Sequence, residues 1–298
     1  MTWLDRDAYP FQTRELPLTE GVMSVVDEGA GPPVVLVHGT PSWSWEWRGV
    51  VQALRPHGRV IAPDHLGFGL SSKPPTADYS MAAHTRRFGE VMDALDVTDA
   101  IVVVHDVAGI IGLPWVLDHP DRVRAVVLTN TFMWPIEGPM AWLMRLYGTA
   151  PGRAIYRWTN LSPRWLLPWA WGRHTPLTPT VHHHYLGPFP RFSDRHAVAA
   201  VPGELVSSSL ATLAERAPEL RGFRVRAVWG MADPLVGATA LARWETLIPG
   251  LRTDTLPECG HFIADEAPDR VAAAIVALQE ESPCPSPPTF AESLRPAC

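Results

Sequence analysis

The strongest constraint on this chain is a set of short runs rich in β-branched residues, several of them apolar without alternation of hydrophobic and polar residues. Val34-Val35-Leu36-Val37, Val60-Ile61-Ala62, Ile101 to Val104, Ala125 to Leu128 and Val225 to Trp229 are rich in β-branched side chains. A strand with one wet face alternates, whereas a strand covered on both faces reads as a continuous apolar run. Helix-like stretches such as Ala82 to Leu95 and Ala108 to His119 lie between them. This order predicts an α/β fold whose mostly parallel central sheet carries helices on both faces. No long-period repeat recurs, which excludes a solenoid or a propeller.

The rhythm breaks between Met133 and Gly222, a stretch dense in tryptophan and proline with WLLPWAW at Trp165 to Trp171 and no strand-like run. It predicts a mainly helical insertion, 133–222, set into a core formed by 1–132 and 223–280. The rhythm resumes with Val225 to Trp229 and ends in a helix over Pro268 to Gln279. The proline-rich residues 281–298 are expected to be a flexible tail.

Composition narrows the partners. With 46% apolar and 19% charged residues the chain has the balance of a globular protein. A net charge of −6, a single lysine (Lys73) and scattered arginines argue against nucleic acid. No run approaches the roughly 18 apolar residues of a membrane span. The opening MTWLDRDAYPF places acids where a signal peptide carries basic residues. A cytoplasmic protein without a membrane partner is therefore expected. Cys259, Cys284 and Cys298 make neither a disulfide framework nor a zinc spacing. The run His182-His183-His184 invites a metal reading, but neighbours on a helix point about 100° apart and do not converge on one ion. No metal and no cofactor is expected.

Four local signals carry chemistry. His38-Gly39-Thr40-Pro41 follows a strand, where glycine permits a sharp turn and the next N–H can serve as an oxyanion donor. Asp64 to Ser71 is a glycine-rich turn that lacks the lysine and spacing of a phosphate loop, and reads as structural. In Val103-Val104-His105-Asp106-Val107-Ala108-Gly109 an apolar strand runs into a tight turn with a helix behind it. That is the pattern of a nucleophile elbow with Asp106 at its tip, although an N-cap aspartate fits the segment equally well. Finally, Trp229-Gly230-Met231-Ala232-Asp233-Pro234 and Cys259-Gly260-His261-Phe262 follow late strands. The chain order is thus nucleophile, acid, histidine, with Asp233 placed to orient His261 as a base.

With these segments on the page the chain resembles the α/β-hydrolase superfamily, and within it the haloalkane dehalogenases. The likeness runs from Trp3 to Leu278. HGTPSWSWEWR is similar to the dehalogenase HGNPTWSxxxR segment, and VVVHDVAGIIG to VxxDWGGxIG. WGMADP and CGHFIADEAP resemble the acid and histidine segments, and LTNTFMWP the strand end where the cap begins. The resemblance implies attack of Asp106 on an sp3 carbon, an alkyl ester, and its hydrolysis by water that His261 activates. Backbone N–H groups of Thr40 and Val107 would form the oxyanion hole and Asp233 would be the acid. The alternative acid position, near Asn130, is uncharged. The implied substrate is a small apolar organic molecule, with water as co-substrate.

Two positions depart from the family. The residue after the nucleophile is a halide-holding tryptophan in dehalogenases and Val107 here; the residue after HG is usually asparagine or glutamate and is Thr40 here. Loss of two donors would remove several kcal/mol of leaving-group stabilisation, at roughly 2.7–4 kcal/mol per donor by analogy with oxyanion holes. Trp134, Trp171, His174 and Tyr185 are candidate replacements in the insertion. Epoxide hydrolases share HGxP and HDWGG and use tyrosines as acids, for which Tyr147, Tyr156 and Tyr185 are candidates. A protein that keeps the fold for binding or cyclisation without turnover is the third possibility.

Overall fold

The structure is a computed structural model that describes residues 3–281, so nearly all of the expected tail, with Cys284 and Cys298, lies outside the described residues. Eight strands form one sheet: β1 Thr13–Leu18, β2 Gly21–Glu28, β3 Pro33–Val37, β4 Arg59–Pro63, β5 Ala100–Asp106, β6 Val123–Thr131, β7 Arg224–Gly230 and β8 Arg252–Leu256. Their spatial order is β1-β2-β4-β3-β5-β6-β7-β8. β2 pairs antiparallel with β1 and β4, and every other pairing is parallel.

Helices α1 Arg48–Leu54, α2 Met81–Ala94 and α3 Ala108–Asp118 connect the early strands. Between β6 and β7 come α4 Gly138–Gly148, α5 Ala150–Thr159, a π-helical turn Ser162–Leu166, α6 Leu167–Ala170, α7 Pro179–Leu186, α8 His196–Glu204 and α9 Ser209–Arg216. α10 Ala238–Leu247, α11 Ile263–Glu266 and α12 Pro268–Glu280 complete the described chain.

The non-alternating apolar runs serve two cores at once. On β3, Val35 and Val37 face one hydrophobic cluster while Val34 and Leu36 face the other; on β5, Val102 and Val104 oppose Ile101 and Val103 in the same way. Each fully buried aliphatic side chain contributes about 1.5–3 kcal/mol relative to exposure, so both faces stabilise the sheet. Of the strands not read from the sequence, β2 lies one place in from the edge, and β1 and β8 lie at the rims. β1 exposes Arg14 and Glu15, and β8 opens with exposed Arg252 before Thr253 and Asp254, so neither carries a continuous apolar run.

Parallel pairing of β5, β6, β7 and β8 brings their carboxyl ends to one edge, the place where open α/β sheets hold ligands. The long connection leaves β6 at that edge and must return to the opposite end of β7. α9 and the turn after it make this descent, packed against α3 and α10.

Candidate active site

Asp106 is the last residue of β5 and takes φ +52°, a left-handed conformation that is unfavourable for any residue but glycine. Its surroundings hold it there. The Thr131 hydroxyl donates to the Asp106 carbonyl at 2.6 Å. A Cβ on Gly109 would lie 2.3 Å from the Phe132 carbonyl oxygen, so only glycine lets α3 start this close to β6. A Cβ on Gly39 would lie 2.4 Å from that of Asp106, which explains the glycine after His38. Through that approach the Thr40 N–H donates to Asp106 Oδ2 at 2.8 Å. No side chain caps α3. The carboxylate is engaged across the sheet edge and does not act as a local cap.

His261 is buried between two carboxylates. Its Nδ1 lies 2.8 Å from Asp233 Oδ2, and its Nε2 lies 3.6 Å from Asp106 Oδ1, an ion-pair distance too long for a hydrogen bond. Burial disfavours the imidazolium, but the charge and hydrogen bond of Asp233, helped by Asp106 and Glu46, outweigh it and raise the His261 pKa to about 9. Burial also works against the charge of Asp233. The facing imidazolium, its hydrogen bond and the Leu235 N–H win, and hold that carboxyl below the usual range. A carboxylate, a backbone donor on it and an oriented imidazole facing it form a constellation able to make and hydrolyse an ester.

Several supporting groups carry no sequence signal of their own. The Asn130 side-chain amide donates to Asp233 Oδ2 at 2.8 Å and to the Gly230 and Val236 carbonyls, and its Oδ1 accepts the Gly230 N–H. The uncharged Asn130, next to last in β6, therefore positions the acid after β7. Behind Asp106, His105 joins buried Glu46 at 3.1 Å to the His261 carbonyl at 2.8 Å. Glu266 Oε1 accepts the N–H groups of Gly260 and Gly172, clamping the His261 loop to the insertion. The glycine-rich turn is tied by Asp64, which accepts the Ser44 and Leu70 N–H groups.

A cavity of about 630 Å³ opens over Asp106, Asp233 and His261. Thr40 and Trp134 line it, and so does Tyr156 from the insertion. Val107, Trp171, His174 and Tyr185 are not among its lining residues. Val107 is packed in the core, Trp171 donates its indole N–H to the Thr175 carbonyl, and Tyr185 is buried with its hydroxyl on Asp265. His174 is exposed, with its backbone N–H on the Glu258 carbonyl. Tyr147 packs on Tyr156 at 5.4 Å without lining the cavity. The three consecutive histidines diverge: His182 meets the Pro163 carbonyl, His183 is exposed, and His184 stacks on Trp45.

A profile of the alpha/beta hydrolase fold family matches residues 32–153. Haloalkane dehalogenase 2 of Mycobacterium tuberculosis (strain ATCC 25618 / H37Rv) is 35% identical over 277 residues, spanning 91% of this chain and 96% of that protein. This chain belongs to the haloalkane dehalogenase family of α/β hydrolases. The crystal structure of haloalkane dehalogenase DatA from Agrobacterium tumefaciens C58 superposes with a TM-score of 0.80 at 27% identity, covering 90% of this chain and 96% of that one. The cis-3-alkyl-4-alkyloxetan-2-one decarboxylase of Shewanella oneidensis is similar too, 28% identical over 305 residues, 97% of this chain and 93% of that protein. The dehalogenase likeness read from HGTPSWSWEWR and VVVHDVAGIIG is thus matched over almost the whole chain.

Proposed function

We propose that this chain is a hydrolase of the dehalogenase type that attacks an apolar alkyl electrophile with Asp106. The observation that carries the reading is the line of groups Asp233, His261 and Asp106, with the Thr40 N–H already on the nucleophile. Oδ2, held by that N–H, takes up negative charge during ester hydrolysis, which leaves Oδ1 free to attack. As the Oδ1–carbon bond forms, the carbon–halogen bond breaks and the halide leaves with the electron pair.

In the resting enzyme His261, with its pKa near 9, carries a proton at neutral pH. Esterification removes the negative charge of Asp106, one of the groups that hold that proton, and so favours the neutral imidazole needed as a base. Water then gives a proton to Nε2 and attacks Cγ of Asp106. The tetrahedral oxyanion is met by the N–H groups of Thr40 and Val107. Its collapse releases the alcohol and regenerates the carboxylate. Insertion residues Met140, Met144, Tyr156 and Leu166 line the cavity and give residues 133–222 the role of a cap.

The leaving group has no tryptophan beside the nucleophile. It has instead the Thr40 hydroxyl, which is buried at the cavity without a hydrogen-bond partner, and the indole of Trp134. Halide release from short haloalkanes, followed with a pH indicator, tests the reading: wild-type protein acidifies the medium and Asp106→Asn does not. Tyr156 favours a second reading. A buried phenol in the cavity can protonate an oxygen leaving group, as opening an epoxide or another strained ring requires. Diol formation without halide release is its signature.

A further inference from the structure

The helices that wall the cavity are apolar on two sides. α4 turns Met144 inward, α5 turns Tyr156, and the π-helical turn turns Leu166. To solvent the same elements, the π-helical turn continuing into α6, present Trp142 (68% exposed) with Leu146, Ile155 with Trp158 (78%), and Trp165 (61%) with Trp169 (56%). Members of each pair are three or four residues apart, so they lie one turn apart on one helix face. A surface helix of a globular protein has one apolar stripe and a polar opposite face. Three consecutive elements break that rule together, and a repeated apolar exposure of this kind marks a contact surface.

Charge identifies what the surface contacts. The chain carries a net −6, yet residues 138–193 contain no aspartate or glutamate and six arginines: 145, 153, 157, 164, 173 and 191. All but Arg157 are exposed, and Arg164 lies over the ring of Trp165 at 6.0 Å. Arg153 shares a groove with Asp78 and Glu204, but along the segment itself tryptophan is interleaved with arginine without a carboxylate, the composition that seats at the headgroup boundary of a bilayer. A second copy would oppose arginine to arginine across a two-fold axis, which disfavours self-association.

We propose that the outer face of the insertion docks peripherally on an anionic lipid surface. No single helix among the described residues is long and apolar enough to cross a membrane, so the contact is interfacial. It would place the cavity wall about one helix diameter, roughly 10–12 Å, from the lipid. This revises the expectation of no membrane partner, which rested on the lack of a spanning segment.

Vesicle flotation of the full chain tests the proposal, comparing pure phosphatidylcholine with vesicles containing about a third phosphatidylglycerol. An arginine near such a surface strengthens binding roughly fivefold, so at least a tenfold preference for the anionic vesicles is expected. It should vanish in molar salt, where the Debye length is about 3 Å. The combined variant Trp142→Ser, Trp158→Ser, Trp165→Ser should float at least tenfold less well, with circular dichroism and turnover of a water-soluble substrate unchanged. Asp106→Asn should float like wild type, which separates this proposal from the catalytic one. Absence of binding, equal binding to both vesicle types, or a wild-type dimer that the tryptophan variant dissolves would overturn it.

Discussion

The strand ends and the helical insertion wall the same cavity by opposite means. At the strand ends each chemical group sits in backbone that has no other choice: Asp106 at φ +52°, Gly39 and Gly109 where a Cβ would collide, and His261 between two carboxylates. The insertion supplies its wall from ordinary helices, and three of its elements leave tryptophans exposed on the far side. Rigid, doubly covered strands specify a geometry, and helices laid across their ends specify a shape. The proposed chemistry therefore belongs to the first region, and the proposed cap and docking roles to the second.

Substitutions that sharpen this contrast rank by expected effect. Asp106→Asn should lower turnover by about 10⁴-fold or more, as loss of a covalent nucleophile does, with little change in melting temperature. Asn130→Leu should follow. It strips Asp233 Oδ2 of a donor and leaves three buried backbone groups unpaired, a loss of roughly 3 kcal/mol in denaturant unfolding and of activity with it.

A pH effect comes next. Burial, outweighing the Gly172 and Gly260 N–H groups, raises Glu266 from 4.5 to about 7. The folded state thus holds this proton more tightly than the unfolded chain. The resulting stability is complete below about pH 4.5 and is lost as pH rises through about 7. Glu266→Gln keeps an acceptor for both N–H groups and removes the titration. It should flatten the fall in stability between those pH values, by on the order of 2 kcal/mol, in urea melts run across the range. Thr40→Val, which retains the backbone donor and removes only a hydroxyl, should slow leaving-group departure about tenfold in single-turnover kinetics. Trp158→Ser on the outer face should change stability by less than about 0.5 kcal/mol. If that last variant unfolds the protein while Asn130→Leu is silent, the division between the two regions is wrong.

The sequence shows these two regions unequally, for physical reasons. Asp106 and Asp233 each follow an apolar run that ends in a turn, and His261 lies in a late Gly-His turn, so order along the chain already points to the sheet edge. Asn130 reads from sequence only as an uncharged residue near the alternative acid position, because its partner appears only when β6 and β7 pair and bring Gly230 and Asp233 beside it. Glu46 and Glu266 were invisible for a similar reason: their partners, His105 and the Gly172 and Gly260 N–H groups, meet them only through packing. In the insertion, spacing could not rank Tyr147, Tyr156 and Tyr185, since which one reaches the cavity depends on how α5 and α7 lie over the core. The same limit explains Trp171 and His174, which packing turns away from the cavity.

The most direct test of the central claim, that Asp106 is a covalent nucleophile whose ester His261 clears, is intact-mass spectrometry of His261→Gln exposed to haloalkanes and epoxides. The expected result is a mass gain of one alkyl group, with halide released, located on the peptide that carries Asp106 and absent from the Asp106→Asn double variant. An adduct that survives in the double variant, or full turnover by His261→Gln with no adduct, would contradict it.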